Sequence, residues 1–78
     1  MTTTVNGEAY VPRAGETVLD LVAAHTGRPL DPDGRPVDGG RLGIAVAVDR
    51  TVVPRSSWAR TPVTDGQQID LVTAVQGG

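Results

Sequence analysis

The chain has 78 residues, a formal charge of -2 and no cysteine. That length holds one domain at most, with no disulfide, thiolate metal ligand or thiol nucleophile to draw on. The acidic balance argues against a nucleic-acid partner, because a phosphate-backbone binder needs a basic surface to release counterions.

Phe is absent, every basic residue is Arg, and Tyr10 and Trp58 are the only aromatics. The core is therefore expected to be aliphatic, and no side-chain amine exists to accept an isopeptide bond. No stretch approaches the roughly 20 apolar residues of a membrane span. The opening MTTTVNGEAY has neither the positive region nor the apolar core of a signal peptide. The expected compartment is the cytoplasm.

In chain order, Thr2 to Val5 and Glu8 to Val11 are β-favouring runs joined by Asn6-Gly7, the pair best suited to a type I′ turn. Pro12, with no N–H to donate, ends that ladder. Thr17 is a good N-cap with Asp20 three residues on, close to a capping box. Val18, Leu21, Val22 and His25 recur at helical spacing and Gly27 suits the left-handed cap, so the pattern predicts a helix over about 18–26. His25, at the helix end, is expected as a half-exposed complement to the helix dipole.

From Arg28 to Arg41 the sequence is dense in Pro, Gly and Asp and reads as an exposed loop. Asp31 and Asp33 hint at a calcium loop, but Arg35 stands at the third ligand position and no acidic residue closes it. Ile44, Val46 and Val48 alternate with Ala45 and Ala47, which predicts a strand with one bulky and one small face. Asp49-Arg50 makes a turn, and Thr51 to Val53 return until Pro54. RSSWART reads as one irregular helical turn, with Trp58 expected over the sheet edge. After the Asp65-Gly66 turn, Ile69, Leu71, Thr73 and Val75 alternate with Asp70, Val72 and Ala74. No Ser/His/Asp set or metal cluster is readable.

The order β-β-α-β-β-β leaves a single helix to cover one face of a four- to five-stranded mixed sheet. The last strand then fits beside the first, at the sheet's centre. This is an α+β fold of the β-grasp, or ubiquitin-like, type. Val18, Leu21 and Val22 should pack on Val5, Ile44, Val46, Ile69 and Leu71. The expected division is a domain over 1–75 and a flexible tail over 76–78.

Three stretches together resemble the ThiS family, the sulfur-carrier proteins of thiamine (thiazole) biosynthesis. VNGEAYVPRAGETVLDLV is similar to that family's opening hairpin and capped helix. IAVAVDRTVVPRSSWA resembles its strand, Pro-Arg and nearby Trp, and DGQQIDLVTAVQGG its last strand and diglycine end. Val53-Pro54-Arg55 with Trp58 is the more specific signal, since many ubiquitin-like proteins share the diglycine without it. The 28–41 segment is longer than in compact members, and Gln76 stands where a small residue is common.

The resemblance implies a carrier and not an enzyme, with no resident cofactor or metal and a monomeric free state. A ThiF-type adenylyltransferase would use ATP to activate the Gly78 carboxylate. A persulfide donor would supply the sulfur, and a ThiG-type thiazole synthase would receive it from the resulting thiocarboxylate. Gly77 and Gly78 lack Cβ atoms, so they fit a narrow channel and take backbone angles closed to other residues. Gln76 completes the tail. Strand alternation sends Ala45, Ala47, Val72 and Ala74 away from the helix, a small apolar area expected to meet the partner. Arg55 is a further partner-contact candidate, with a local salt bridge as the other reading.

Other readings remain at this level. The small subunit of molybdopterin synthase shares the fold and tail, but would lack the Pro-Arg…Trp segment and usually carries Phe in its core. A carrier for another pathway fits the same residues. A ubiquitin-like modifier or an inert binding module belongs to a different class; an iron–sulfur β-grasp needs cysteines that are not here.

Overall fold

The computed structural model describes residues 2–40 and 43–73. Two tight hairpins supply four strands. In the first, β1 (Thr3–Val5) and β2 (Glu8–Tyr10) are joined by Asn6 and Gly7 at φ 52° and 83°, the paired positive angles of the expected turn. The strands are slightly shorter than the sequence suggests, and Val11 lies outside the ladder with 86% of its surface exposed. In the second, β3 (Ile44–Val48) and β4 (Thr51–Val53) are joined by Asp49 and Arg50 at φ 50° and 69°. A left-handed angle costs a residue with a Cβ about 1–2 kcal/mol. Asp49 offsets this by donating its N–H to the Gln68 carbonyl (2.7 Å) and accepting the Gln68 N–H on Oδ1 (2.9 Å).

Between the hairpins lies α1 (Val18–Thr26), bounded as the sequence predicts. Thr17 Oγ1 accepts from the Asp20 N–H, Asp20 Oδ2 accepts from the Thr17 N–H, and Gly27 closes the helix at φ 70°. These contacts satisfy donors that the first turn leaves without partners. The last strand, β5 (Gln68–Thr73), runs parallel to β1 and antiparallel to β3. The sheet order is β2-β1-β5-β3-β4, so the final strand sits at the centre.

Val18, Leu21 and Val22 of the helix bury against Val46, Ile69 and Leu71, with Val5 and Ile44 packed around them. Val63 joins this core, and Thr3 is buried with Oγ1 donating to the Thr64 carbonyl at 2.7 Å. Thr73, placed on the core side by alternation, is exposed. His25 is exposed rather than half-exposed. Val75 lies outside the described residues.

Two expectations are corrected together. Trp58 does not cover the sheet edge but is a core residue, 1% exposed, so the core is not purely aliphatic. It belongs to a short 3-10 helix, Arg55–Arg60, packed against α1, and its indole N–H donates to the Val53 carbonyl at 3.0 Å. Nor is the segment after α1 wholly exposed: Gly34 and Pro36 are buried. Asp31 Oδ1 accepts the N–H groups of Asp33 (2.9 Å) and Arg35 (3.0 Å), and Leu30 bridges Pro36. The tip folded in this way brings Gly34 against the indole. A Cβ at Gly34 would collide with Arg55 Cγ and stand 3.1 Å from Trp58 Cε3.

Across the molecule Glu16, only 8% exposed, holds the connector before the helix. Its carboxylate accepts from the Tyr10 hydroxyl and the Arg13 N–H, and its carbonyl accepts from the Val63 N–H. Burial, then the hydrogen bond and negative charge of Glu16, pushes the Tyr10 pKa up to about 12.

Two measurements test this packing. Gly34 and Gly39 have nearly equal φ, 82° and 81°, but a Cβ at Gly39 meets open space. Gly39→Ala should cost about 1 kcal/mol from backbone strain alone, and Gly34→Ala clearly more; equal losses in denaturant melts would mean that Gly34 is not packed as described. For Tyr10, a raised folded pKa means that its contribution is complete below the unfolded value of 10.0 and is lost as pH climbs towards about 12. As the sole tyrosine in a chain without lysine, it dominates alkaline titration. Wild-type melting temperature should fall more steeply from pH 10 to 12 than that of Tyr10→Phe; parallel curves would contradict the Glu16 contact.

Candidate functional site: the outer sheet face and the end of the last strand

A sheet with one covering helix has a second face, and here the hairpin register decides what lies on it. The two-residue turn at Asp49-Arg50 pairs Ala47 with Val52 and Val46 with Val53. On its other edge β3 pairs Ala45 with Val72 and Ala47 with Asp70. Since Val46, Ile69 and Leu71 point to the helix, alternation puts Ala45, Ala47, Val52, Asp70 and Val72 on the opposite side. Val72 is 59% exposed and Val52 70%.

The expected grouping of Ala45, Ala47 and Val72 therefore exists as one patch, on the adjacent strands β3 and β5. Ala74, Gln76, Gly77 and Gly78, also named from the sequence, lie outside the described residues. Val52 was missed, although the two-residue turn that fixes its partner is readable in the sequence. Asp70, directly across from Ala47, is the charged member of the patch and was not given that role either.

Arg55 does not join this group. Its guanidinium carbon lies 5.6 Å from the centroid of the Trp58 ring, a cation–π distance, in the segment packed against α1. The Pro-Arg…Trp stretch is thus a folding unit in which Pro54 ends β4, Trp58 fills the core and Arg55 lies on the indole.

The end of β5 is held from both sides. Toward β3 the strands pair from Ile44↔Thr73 to Val48↔Ile69. Toward β1 the pairing stops at Val5↔Ile69, and the turn takes over: the Asn6 N–H donates to the Ile69 carbonyl (2.9 Å), and the Leu71 N–H donates to Asn6 Oδ1 (2.8 Å). Asn6 thereby extends the support to Leu71, two residues beyond the last position of β5 paired with β1.

Among the described residues no three His, Cys, Asp or Glu side chains are placed to hold a metal, and no helix is long and apolar enough to cross a membrane. The arrangement is a mostly apolar area on the outer face of β3, β4 and β5, beside the end of β5.

Known proteins resemble the chain over nearly its whole length. The model of the ThiS family matches residues 2–78. The sulfur carrier protein ThiS of Escherichia coli (strain K12) is 33% identical over 73 residues, covering 94% of this chain and 92% of that protein. The crystal structure of a thiamine biosynthesis protein (ThiS) from Geobacter metallireducens superposes with a TM-score of 0.65, at 24% identity and over the whole of both chains.

If Val72 serves an exposed face and not the core, Val72→Asp should leave the fold intact, with a stability loss of no more than about 1 kcal/mol. A loss of the size seen for buried aliphatic sites, in a denaturant melt, would place Val72 inside.

Proposed function

Because the chain belongs to the ThiS family, we propose that it is a sulfur carrier whose Gly78 carboxylate is the reacting group, serving thiazole formation in thiamine biosynthesis. The observation that carries this reading is the family match through residue 78, which takes in the Gly77-Gly78 end. The named role of the E. coli relative supports it.

In this reading an ATP-dependent adenylyltransferase of the ThiF type seats the outer face of the sheet. The carboxylate attacks the α-phosphate of ATP, pyrophosphate leaves, and a glycyl-adenylate forms. A persulfide sulfur then attacks the glycyl carbonyl and AMP departs. Cleavage of the resulting S–S bond by a thiol leaves the thiocarboxylate, which a ThiG-type thiazole synthase consumes. The absence of α-substituents on Gly77 and Gly78 serves both steps, admitting the tail to a narrow channel and leaving the carbonyl open to sulfur.

The patch accounts for docking in physical terms. Ala45, Ala47, Val52 and Val72 can be covered without desolvating many polar groups, and small side chains on a rigid sheet lose little entropy on being held. Asp70 gives the area one charge for the partner to match.

Intact mass spectrometry after incubation with ATP, a persulfide donor and the adenylyltransferase should show one oxygen replaced by sulfur. Removing Gly78 should abolish that change while leaving the melting temperature unaltered; the same mass gain on the shortened chain would refute the terminal carboxylate as carrier. Val72→Asp should lower adenylation at least tenfold in a folded protein, because its charge would be desolvated at the interface. Unchanged kinetics would exclude this face.

A further inference from the structure

The strand register leaves one piece of backbone in the middle of the sheet without a strand beside it. Consecutive residues of a strand direct their N–H and C=O groups to opposite neighbours. The Gln67 and Ile69 carbonyls accept from Thr4 and Asn6 on the β1 side, and the Leu71 N–H reaches Asn6 there. Gln68 turns the other way, to Asp49. Residues of odd number in β5 therefore face β1, and this includes the Leu71 carbonyl and the Thr73 N–H. Yet β1 pairs no further than Val5↔Ile69 before the chain turns back at Asn6-Gly7. Among the described residues no backbone group lies opposite these two.

The turn itself is uncovered at its second residue. A Cβ built on Gly7 meets no atom within 4 Å. On the helix side a groove of about 360 Å³, floored by Val5 and Leu21 and sharing Asn6, runs between the hairpin and the end of α1. The notch thus combines a carbonyl and an N–H in the sheet plane with an uncovered glycine turn and an adjoining groove.

We infer that this notch receives an extended segment of the activating adenylyltransferase, which continues the line of β1 past the Asn6-Gly7 turn and pairs with Leu71 and Thr73. This rests on the carrier reading above and deepens it. The complement of an in-plane acceptor and donor is the backbone of another strand, the arrangement by which peptides add to sheet edges. The position also fits the task, since Thr73 precedes the tail by few residues. A partner that grips the backbone there fixes the direction of the tail independently of tail side chains. Pairing on the β1 side leaves the outer face free, so the two contacts are compatible.

Amide hydrogen exchange tests the proposal on the full chain, alone and with the ThiF-type adenylyltransferase and ATP. In the free protein the Val72 amide, directed at β3, should be protected, and the Thr73 amide should exchange fast. With the partner bound, Thr73 exchange should slow at least tenfold. A complex that forms and adenylates while the Thr73 amide stays fast overturns the notch and leaves the carrier reading standing. Failure of any adenylation overturns both. Protection that grows with the concentration of the free chain assigns the notch to a second copy and overturns the partner strand.

A chemically synthesised chain with an ester between Val72 and Thr73 gives a second readout, since it removes the Thr73 N–H and otherwise weakens only the Val72 carbonyl, which is directed at β3. If it melts like the wild type, its ATP–pyrophosphate exchange should show kcat/KM reduced about tenfold, the equivalent of about 1.4 kcal/mol. An unchanged kcat/KM in the folded ester overturns the proposal.

Discussion

The fold depends on β5 being paired along both of its edges. Among the described strands it is the one paired to both hairpins, and turns as well as ladders supply the bonds that hold it. Asn6 and Asp49 each take a left-handed conformation that costs energy, and each returns it through hydrogen bonds to β5. The turns are therefore not merely connectors. They clamp the central strand at its start, through Asp49 and Gln68, and near its end, through Asn6 and Leu71. Replacing either by glycine would ease the backbone but remove a clamp.

The helix side is completed by a second unit that grows outward from Trp58. The indole fills the core, the Arg55 guanidinium lies over it, and the folded tip around Gly34 closes on both. The long connection after α1 is thus part of the packing at its tip and solvated at its flanks, where Arg28 pairs with Asp38 at 3.1 Å. The Gly40 N–H, and after it Arg28, holds the Asp38 carboxyl below its usual range. This division ties a long Pro- and Gly-rich connection to the core at its tip while its flanks stay solvated. It also leaves the opposite face of the sheet clear of any covering element among the described residues.

Local signals were the legible ones. Turn chemistry at Asn6-Gly7 and Asp49-Arg50, the Thr17–Asp20 box and the Gly27 cap are each contained within a few residues, and the structure has them all. Period-two alternation in β3 and β5 separated the core face from the outer face correctly through Val72. What could not be read was long-range. Nothing near Trp58 announces that Gly34 will reach it, and nothing near Glu16 announces that Tyr10 and Val63 will share its oxygens. A buried glutamate is a poor guess until its donors are known. Val52 was different, because the turn already fixed its partner and only the register had to be traced.

Placing the sheet's centre last in the sequence has a consequence for how the molecule comes into being. As the chain emerges from its N-terminus, β1–β2 can close early, but an isolated hairpin is marginal in water. The second hairpin meets the same difficulty, since β1 and β3 touch only through β5. Until residues 68–73 arrive, the helix has no continuous sheet to pack on and its apolar stripe stays wet. Assembly then requires closing a loop from Val5 to Ile69 across nearly the whole chain, the kind of distant contact that slows folding relative to local ones. Closing the sheet is thus a long-range event that neither hairpin can complete on its own.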